Sequence, residues 1–169
     1  MIFVQSIKIS DKMSDKDIQF YRSLLADDHA TALYEYFRSN IEWDNNIALR
    51  NSRNEDYTLK TKSIELGSDE IVDSTIRDII SKISIYPYTI YGIRLNYYRD
   101  GDDHTPSHIH TGIVHMILSL GATRTLNLDG ENYDIKNGDC VRFGIMKHGV
   151  PKEPSCTDGR ISMVLYLKK

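Results

Sequence analysis

The chain has few cysteines: Cys140 and Cys156 are the two among 169 residues. Two thiols make no disulfide framework and give no sign of an oxidising compartment; one is expected to be packed and the other to lie in a loop. An excess of charge of one sign is also missing. Lys and Arg number 21 against 24 Asp and Glu, a formal net charge of −3. No global basic field therefore draws in nucleic acid, and any such role must rest on a local patch. No apolar run approaches the roughly 18 residues of a membrane span, and the N-terminus shows no cleavable signal pattern. Internal repeats, low-complexity segments and domain linkers are absent. What remains, 40% hydrophobic and 27% charged residues, is ordinary for a soluble protein. The length holds one domain with a real core. The expectation is a single domain over 1–169, cytoplasmic or otherwise intracellular, with no membrane contact.

The order of the segments predicts an α+β fold. Residues 2–9, IFVQSIKI, are rich in β-branched and aromatic side chains and predict a first strand. Residues 15–25 do not choose between states. Asp27 or Asp28 is placed to cap a helix carrying Ala30, Leu33, Phe37 and Ile41 at helical spacing, and Trp43 begins the next extended stretch. Residues 44–66 are polar, with Arg50, Arg53, Lys60 and Lys62 around Tyr57. They read as a solvated hairpin, or as a mobile flap whose cations hold a phosphate backbone while the tyrosine stacks on a base. Ser68 is placed to cap a second helix, with Asp69 and Glu70 in its first turn and Val72, Ile76, Ile79 and Ile83 as its apolar stripe. After Pro87 the pattern turns to alternation. Strands are expected at 89–99, 113–120, 123–128, 132–135, 139–147 and 160–168, parted by Gly-containing turns. Two helices ahead of many strands imply helices packed on one face of a mainly antiparallel sandwich or barrel.

The unusual chemistry lies in 96–110, NYYRDGDDHTPSHIH, which holds His104, His108 and His110, three of the six histidines. It is expected as a polar loop between two strands. Residues two apart on a strand face one way. His108 and His110 therefore either chelate one ion or are ordinary polar residues at an exposed strand end. A third ligand has to come from elsewhere, and His148 in RFGIMKHGVPK is the best placed. Imidazoles suit Fe, Zn, Cu or Ni rather than Ca or Mg. The last strand adds a cation: Arg160, Ser162, Val164 and Tyr166 alternate onto one face, and Ile161, Met163, Leu165 and Leu167 onto the other. An inward arginine needs an anion, either a protein carboxylate or a ligand carboxylate held by the guanidinium fork. Arg94, Asn96 and Tyr98 share a face of 89–99 and can complete a small polar pocket.

These pieces, in this order, resemble the AlkB-like branch of the Fe(II)/2-oxoglutarate dioxygenases. The matching residues are Asn96 and Tyr98, Asp100-Gly101, Asp103-His104 before PSH, SLGATR at 119–124, NGD at 137–139, HGVPK at 148–152 and RIS at 160–162. The resemblance covers about 90–168 and implies a double-stranded β-helix, a jelly roll buttressed by the N-terminal helices. It implies Fe(II) on His108 and His148, with 2-oxoglutarate held by Arg160, Ser162 and Tyr98, and Asn96 helping. Two positions depart from the pattern. His110 stands where the family keeps a carboxylate, giving H-I-H and a neutral shell. Tyr166 stands where the family's nucleic-acid demethylases carry a second arginine, and a phenol donates one hydrogen bond without charge.

The function so implied is oxidation, by hydroxylation or demethylation, of a modified nucleobase that is single-stranded or flipped from a duplex. The flap at 44–66, through Arg50, Arg53, Tyr57 and Lys60, would hold the nucleic acid. Three alternatives stay open: an oxygenase acting on a protein or small molecule, a non-catalytic nucleic-acid- or protein-binding module, and a three-histidine centre that uses oxygen without 2-oxoglutarate.

Overall fold

Strand alternation from 160 onward sets the layers of the molecule. In the computed structural model, β11 (Arg160–Lys168) lies in a seven-stranded antiparallel sheet. Ile161, Met163, Leu165 and Leu167 point to one side, each at most 1% exposed. The structure describes residues 17–50 and 56–169, without the side chains of 45–50 and 56–58. The expected strand at 2–9 and Arg53 lie outside the described residues, as do the side chains of Arg50 and Tyr57.

The other elements are β1 (Ile18–Tyr21), α1 (Asp27–Asn40), β2 (Asp44–Arg50), β3 (Asp56–Ile64), α2 (Glu70–Lys82), β4 (Thr89–Tyr98), β5 (Thr105–His108), β6 (Val114–Gly121), β7 (Arg124–Leu128), β8 (Glu131–Ile135), β9 (Cys140–Phe143) and β10 (His148–Val150). The large sheet runs β1-β9-β6-β11-β4-β3-β2, and a second sheet runs β5-β10-β7-β8. This is a jelly-roll α+β fold. Both helices cover the outer face of the large sheet, where Ala30, Phe37, Val72 and Ile79 join Leu95 and Met163 in one core. Each of these side chains larger than Ala30 contributes roughly 1.5–3 kcal/mol by leaving water. A second core lies between the sheets, where Ile117, Val141 and Val164 meet Leu126, Ile135 and Val150.

Several expectations are corrected in detail. Neither Asp27 nor Asp28 caps α1; Ala26 is the N-cap without a side-chain hydrogen bond, and both aspartates sit in the first turn, where the helix dipole favours them. Asp69, not Ser68, caps α2, accepting from the Ile71 and Val72 amides, while Ser68 donates to the Glu65 carbonyl. The stretch 139–147 is not one strand. It pairs with β6 as far as Phe143, leaves the large sheet, and re-enters pairing at His148 in the small one. The 96–110 stretch is not all loop, because Thr105–His108 forms β5. Within 44–66, β2 and β3 pair antiparallel, in keeping with the hairpin reading, and they extend the large sheet beyond β4 with β2 at its edge. No helix among the described residues is long and apolar enough to cross a membrane. Cys140 is packed, and burial pushes its thiol pKa up to about 12; Cys156 is half-buried.

A three-histidine candidate metal centre

His108 ends β5 and His148 begins β10, and the antiparallel register sets them directly opposite each other. Their rings are 4.3 Å apart. This pairing depends on Gly149: a Cβ there would stand 2.8 Å from the Thr105 carbonyl and 2.9 Å from the Ser107 amide. His110 lies just past the end of β5 and brings its ring 4.9 Å from His108 and 5.4 Å from His148. The three offer ligand nitrogens within 4.8 Å of one another.

Backbone contacts fix how two of the rings are presented. The Nδ1–H of His108 donates to the Pro106 carbonyl at 2.8 Å, and that of His148 to the Met146 carbonyl at 3.0 Å. Carbonyls only accept, so Nδ1 carries a proton in each ring, which leaves Nε2 as the atom available to a metal. Burial, with help from neighbouring imidazoles, lowers the pKa of His110 and takes that of His148 down to about 4. Neutral, converging imidazoles are the form a transition metal binds. The donor set thus fits a ferrous ion, and fits Co, Ni, Cu or Zn by the same chemistry.

The opposite wall comes from β11 and β4. Arg160 and Ser162 are buried and share the cavity with Asn96, Tyr98 and Tyr166. The cavity has a volume of about 250 Å³. Arg160 donates from Nε to Ser119 Oγ at 2.8 Å, and its guanidinium lies over the Tyr98 ring at 5.3 Å. It joins no ion pair among the described residues. Burial lowers its pKa, which starts high enough that the charge persists. Asn96 Nδ2 donates to Ser162 Oγ at 3.4 Å, and Tyr98 shares a 2.8 Å hydrogen bond with Thr105 Oγ1 that links the two sheets. Burial raises the pKa of Tyr166, so it is a neutral phenol.

All eight residues expected at the metal and cosubstrate positions therefore line one cavity. Of the expected nucleic-acid contacts, Lys60 has a described side chain, and it does not join them. Lys60 follows Leu59, which lines the cavity, so alternation along β3 turns Lys60 to the other face. His104 also lies outside the cavity. One lining residue escaped notice. His115 is 2% exposed, with its ring 4.5 Å from His148 and stacked on Phe143 at 5.0 Å. Neither of its ring nitrogens has a hydrogen-bond partner. Its alternation with Ile117 and Ser119 was a readable signal. Arg94 also lines the cavity, with its Nε buried and unpartnered.

Other motif residues are structural. Arg124 is fully buried, donating to Glu153 Oε2 at 2.7 Å and to the carbonyls of Asp100, Asp103 and Pro151. Asp139 accepts from Arg22 and from the Ser23 and Lys136 amides.

No family model matches the chain, and no curated protein matches it. Solved structures do. A prolyl-4-hydroxylase from Pseudomonas putida matches with TM-score 0.62 and 16% identity, over 91% of this chain and 93% of its own. An oxidoreductase of the 2OG-Fe(II) oxygenase family from Burkholderia pseudomallei gives 0.65 and 12%, over 89% and 84%. The fold is theirs. A non-heme α-ketoglutarate-dependent epimerase of nogalamycin biosynthesis shares it too, with TM-score 0.64 and 10% identity over 92% of this chain and 77% of that one.

Proposed function

We propose that this protein is an Fe(II)- and 2-oxoglutarate-dependent oxygenase of AlkB-like type that hydroxylates or demethylates a modified nucleobase. The observation that carries the oxygenase reading is one cavity with three convergent imidazoles and a buried arginine that joins no ion pair among the described residues. An uncompensated buried guanidinium is expensive, and a ligand carboxylate is the natural remedy. The AlkB-like assignment and the nucleobase substrate rest on the ordered sequence motifs.

His108, His110 and His148 would hold the metal through nitrogen lone pairs, and Arg160, Ser162 and Tyr98 would hold the distal carboxylate of the keto acid. Bound there, iron and keto acid would let dioxygen act as the oxidant for hydroxylating a C–H bond, with the keto acid supplying two electrons as it becomes succinate and carbon dioxide. The chain's own work is orientation. Arg160 is pinned by Ser119 and stacked on Tyr98, so its fork is set before the ligand arrives. Leu126, Val150 and Ile117 form apolar walls that strengthen each polar contact. An N-methyl group hydroxylated here yields a hydroxymethyl product that releases formaldehyde. The strands at 44–66 would flank the substrate, with Arg50, Arg53, Tyr57 and Lys60 as its contacts and the target base outside any duplex.

The decisive assay is succinate release from 2-oxoglutarate with Fe(II), with and without methylated single-stranded oligonucleotide. Turnover stimulated by the oligonucleotide is expected, and Arg160→Gln should raise the KM for 2-oxoglutarate by about tenfold or more, the worth of a charge-assisted pair. Oligonucleotide binding without turnover would instead indicate a binding module. A second reading, oxygen chemistry without 2-oxoglutarate, is favoured by the all-imidazole donor set. Oxygen uptake without the keto acid, abolished in His110→Asp, would establish it.

A further inference from the structure

Two guanidiniums line the cavity, and the function proposed above uses one. Arg94 stands on β4 opposite Val164 of β11. Its Nη2 donates to Thr61 Oγ1 at 3.3 Å, its Nε is buried without a partner, and it joins no ion pair among the described residues. No Asp or Glu among the described residues lines the cavity. A divalent ion on three neutral imidazoles is balanced by a dianionic keto acid. Both guanidiniums then remain, one buried and one half-buried, an excess of positive charge that a further anion offsets.

The two arginines lean in opposite directions. The sheet order places β6 beside β11, and β3 beside β4 on the far side. Arg160 on β11 reaches toward β6, to Ser119. Arg94 on β4 reaches toward β3, to Thr61. A ligand seated on Arg160 therefore lies toward one side of the cavity, and Arg94 serves the side bordered by the 44–66 strands. Arg94 is also close enough to His110 and Tyr166 to act on both electrostatically, which puts its charge beside the metal-binding group.

We propose that Arg94 is a second anion seat, separate from Arg160, that receives a carboxylate or phosphate group of the primary substrate next to the histidine cluster. This rests on the reading of the cavity as a metal and keto-acid site. It makes the substrate acidic near its reacting carbon, a specificity that apolar walls alone would not give. Tyr166 fits the same role, since its phenol offers one further hydrogen bond to an anion.

The test is calorimetric titration of the full-length, Ni(II)-loaded protein, first with 2-oxoglutarate and then, at saturation, with inorganic phosphate or succinate. The wild type should bind a second anion, and the tighter probe tells phosphate from carboxylate. Arg94→Gln should weaken that second binding by about tenfold or more while leaving 2-oxoglutarate affinity within about twofold. Arg94→Lys should recover part of it, because charge returns without the fork. The proposal is overturned if wild type binds no second anion, or if Arg94→Gln binds it as wild type does. It is equally overturned if Arg94→Gln loses 2-oxoglutarate as Arg160→Gln does, because Arg94 would then belong to the cosubstrate. If Ni(II) and 2-oxoglutarate fail to bind wild type, the oxygenase reading falls. Phosphate and succinate titrated into the metal-free wild type and Arg94→Gln proteins then decide the anion seat by themselves.

Discussion

His115 shows what a single side chain on β6 can hold in reserve. It is buried, with both ring nitrogens lacking partners, and burial beside His148, His110 and His108 takes its pKa down to about 2. A neutral imidazole in that state weakens the empty protein, because an unsatisfied buried polar group costs about 1–3 kcal/mol. His115→Leu is therefore expected to stabilise the metal-free protein by about 1 kcal/mol in urea denaturation. If the imidazole serves ligands in the cavity, the same variant should bind Ni(II) or 2-oxoglutarate less tightly. A fall in metal-free stability would show that the ring is structural packing against Phe143. At this scale the sequence was informative where alternation was clean. Arg160, Ser162 and Tyr166 were placed on the cavity face from β11 alone. His115 was overlooked because it sits in an apolar run; its alternation with Ile117 and Ser119 was readable, but its partners depend on which strands flank β6.

Among the elements, β5 and β10 carry the centre, and both are short. Gly149 lets their backbones approach, so Gly149→Ala should push the pair apart and move His148 away from His108. A loss of Co(II) or Ni(II) affinity of about tenfold or more is expected, as for changes that misplace a ligand's supports, with the far-ultraviolet spectrum unchanged. A clamp holds the same region. Glu153 accepts from Arg124 Nε, the Thr125 amide and the Thr125 hydroxyl, while Arg124 ties down the carbonyls of 100, 103 and 151. Glu153→Gln leaves the buried guanidinium uncompensated. A loss of about 2 kcal/mol is expected, discounted for the partial exposure of Glu153, or ~4–8 °C in Tm.

Acid should weaken this clamp. Burial works to raise the pKa of Glu153, but the Thr125 amide and Arg124 outweigh it; for Asp103, burial is outweighed by Arg99. Both folded-state values lie below the unfolded ones. The contribution is thus complete above the ordinary carboxylate range and is lost as pH falls through the depressed values. Thermal melts from pH 7 downward should show this loss, and show less of it in Glu153→Gln. Sequence patterning missed β5 and ran 139–147 on as one strand because strands of three or four residues are too short to show a period. The α2 cap was misplaced by one residue because Ser68 and Asp69 both have capping chemistry.

For the molecule as a whole, ligand binding and folding are linked. A metal and keto acid that bind only the folded cavity stabilise it, by about 2.7 kcal/mol for each at 100 times its dissociation constant. Ni(II) with 2-oxoglutarate should raise Tm by several degrees, and chelation should reverse the change. Arg160→Gln should remove the keto-acid increment and keep the metal's. A Tm indifferent to both ligands would count against the centre.

The sequence by itself determined what neighbouring residues share: two amphipathic helices, the alternating faces of β4 and β11, and a layered α+β fold to bury them. Those properties follow from the 3.6- and 2-residue periods of the backbone, which any short stretch of chain displays. Only the tertiary structure decided that His108 faces His148, 40 residues further along. It alone revealed His115 beneath them and turned Arg94 and Arg160 to opposite sides of the cavity. Each of these depends on strand order and register. Those are set by hydrogen bonds between segments distant in the chain, and no local pattern records them.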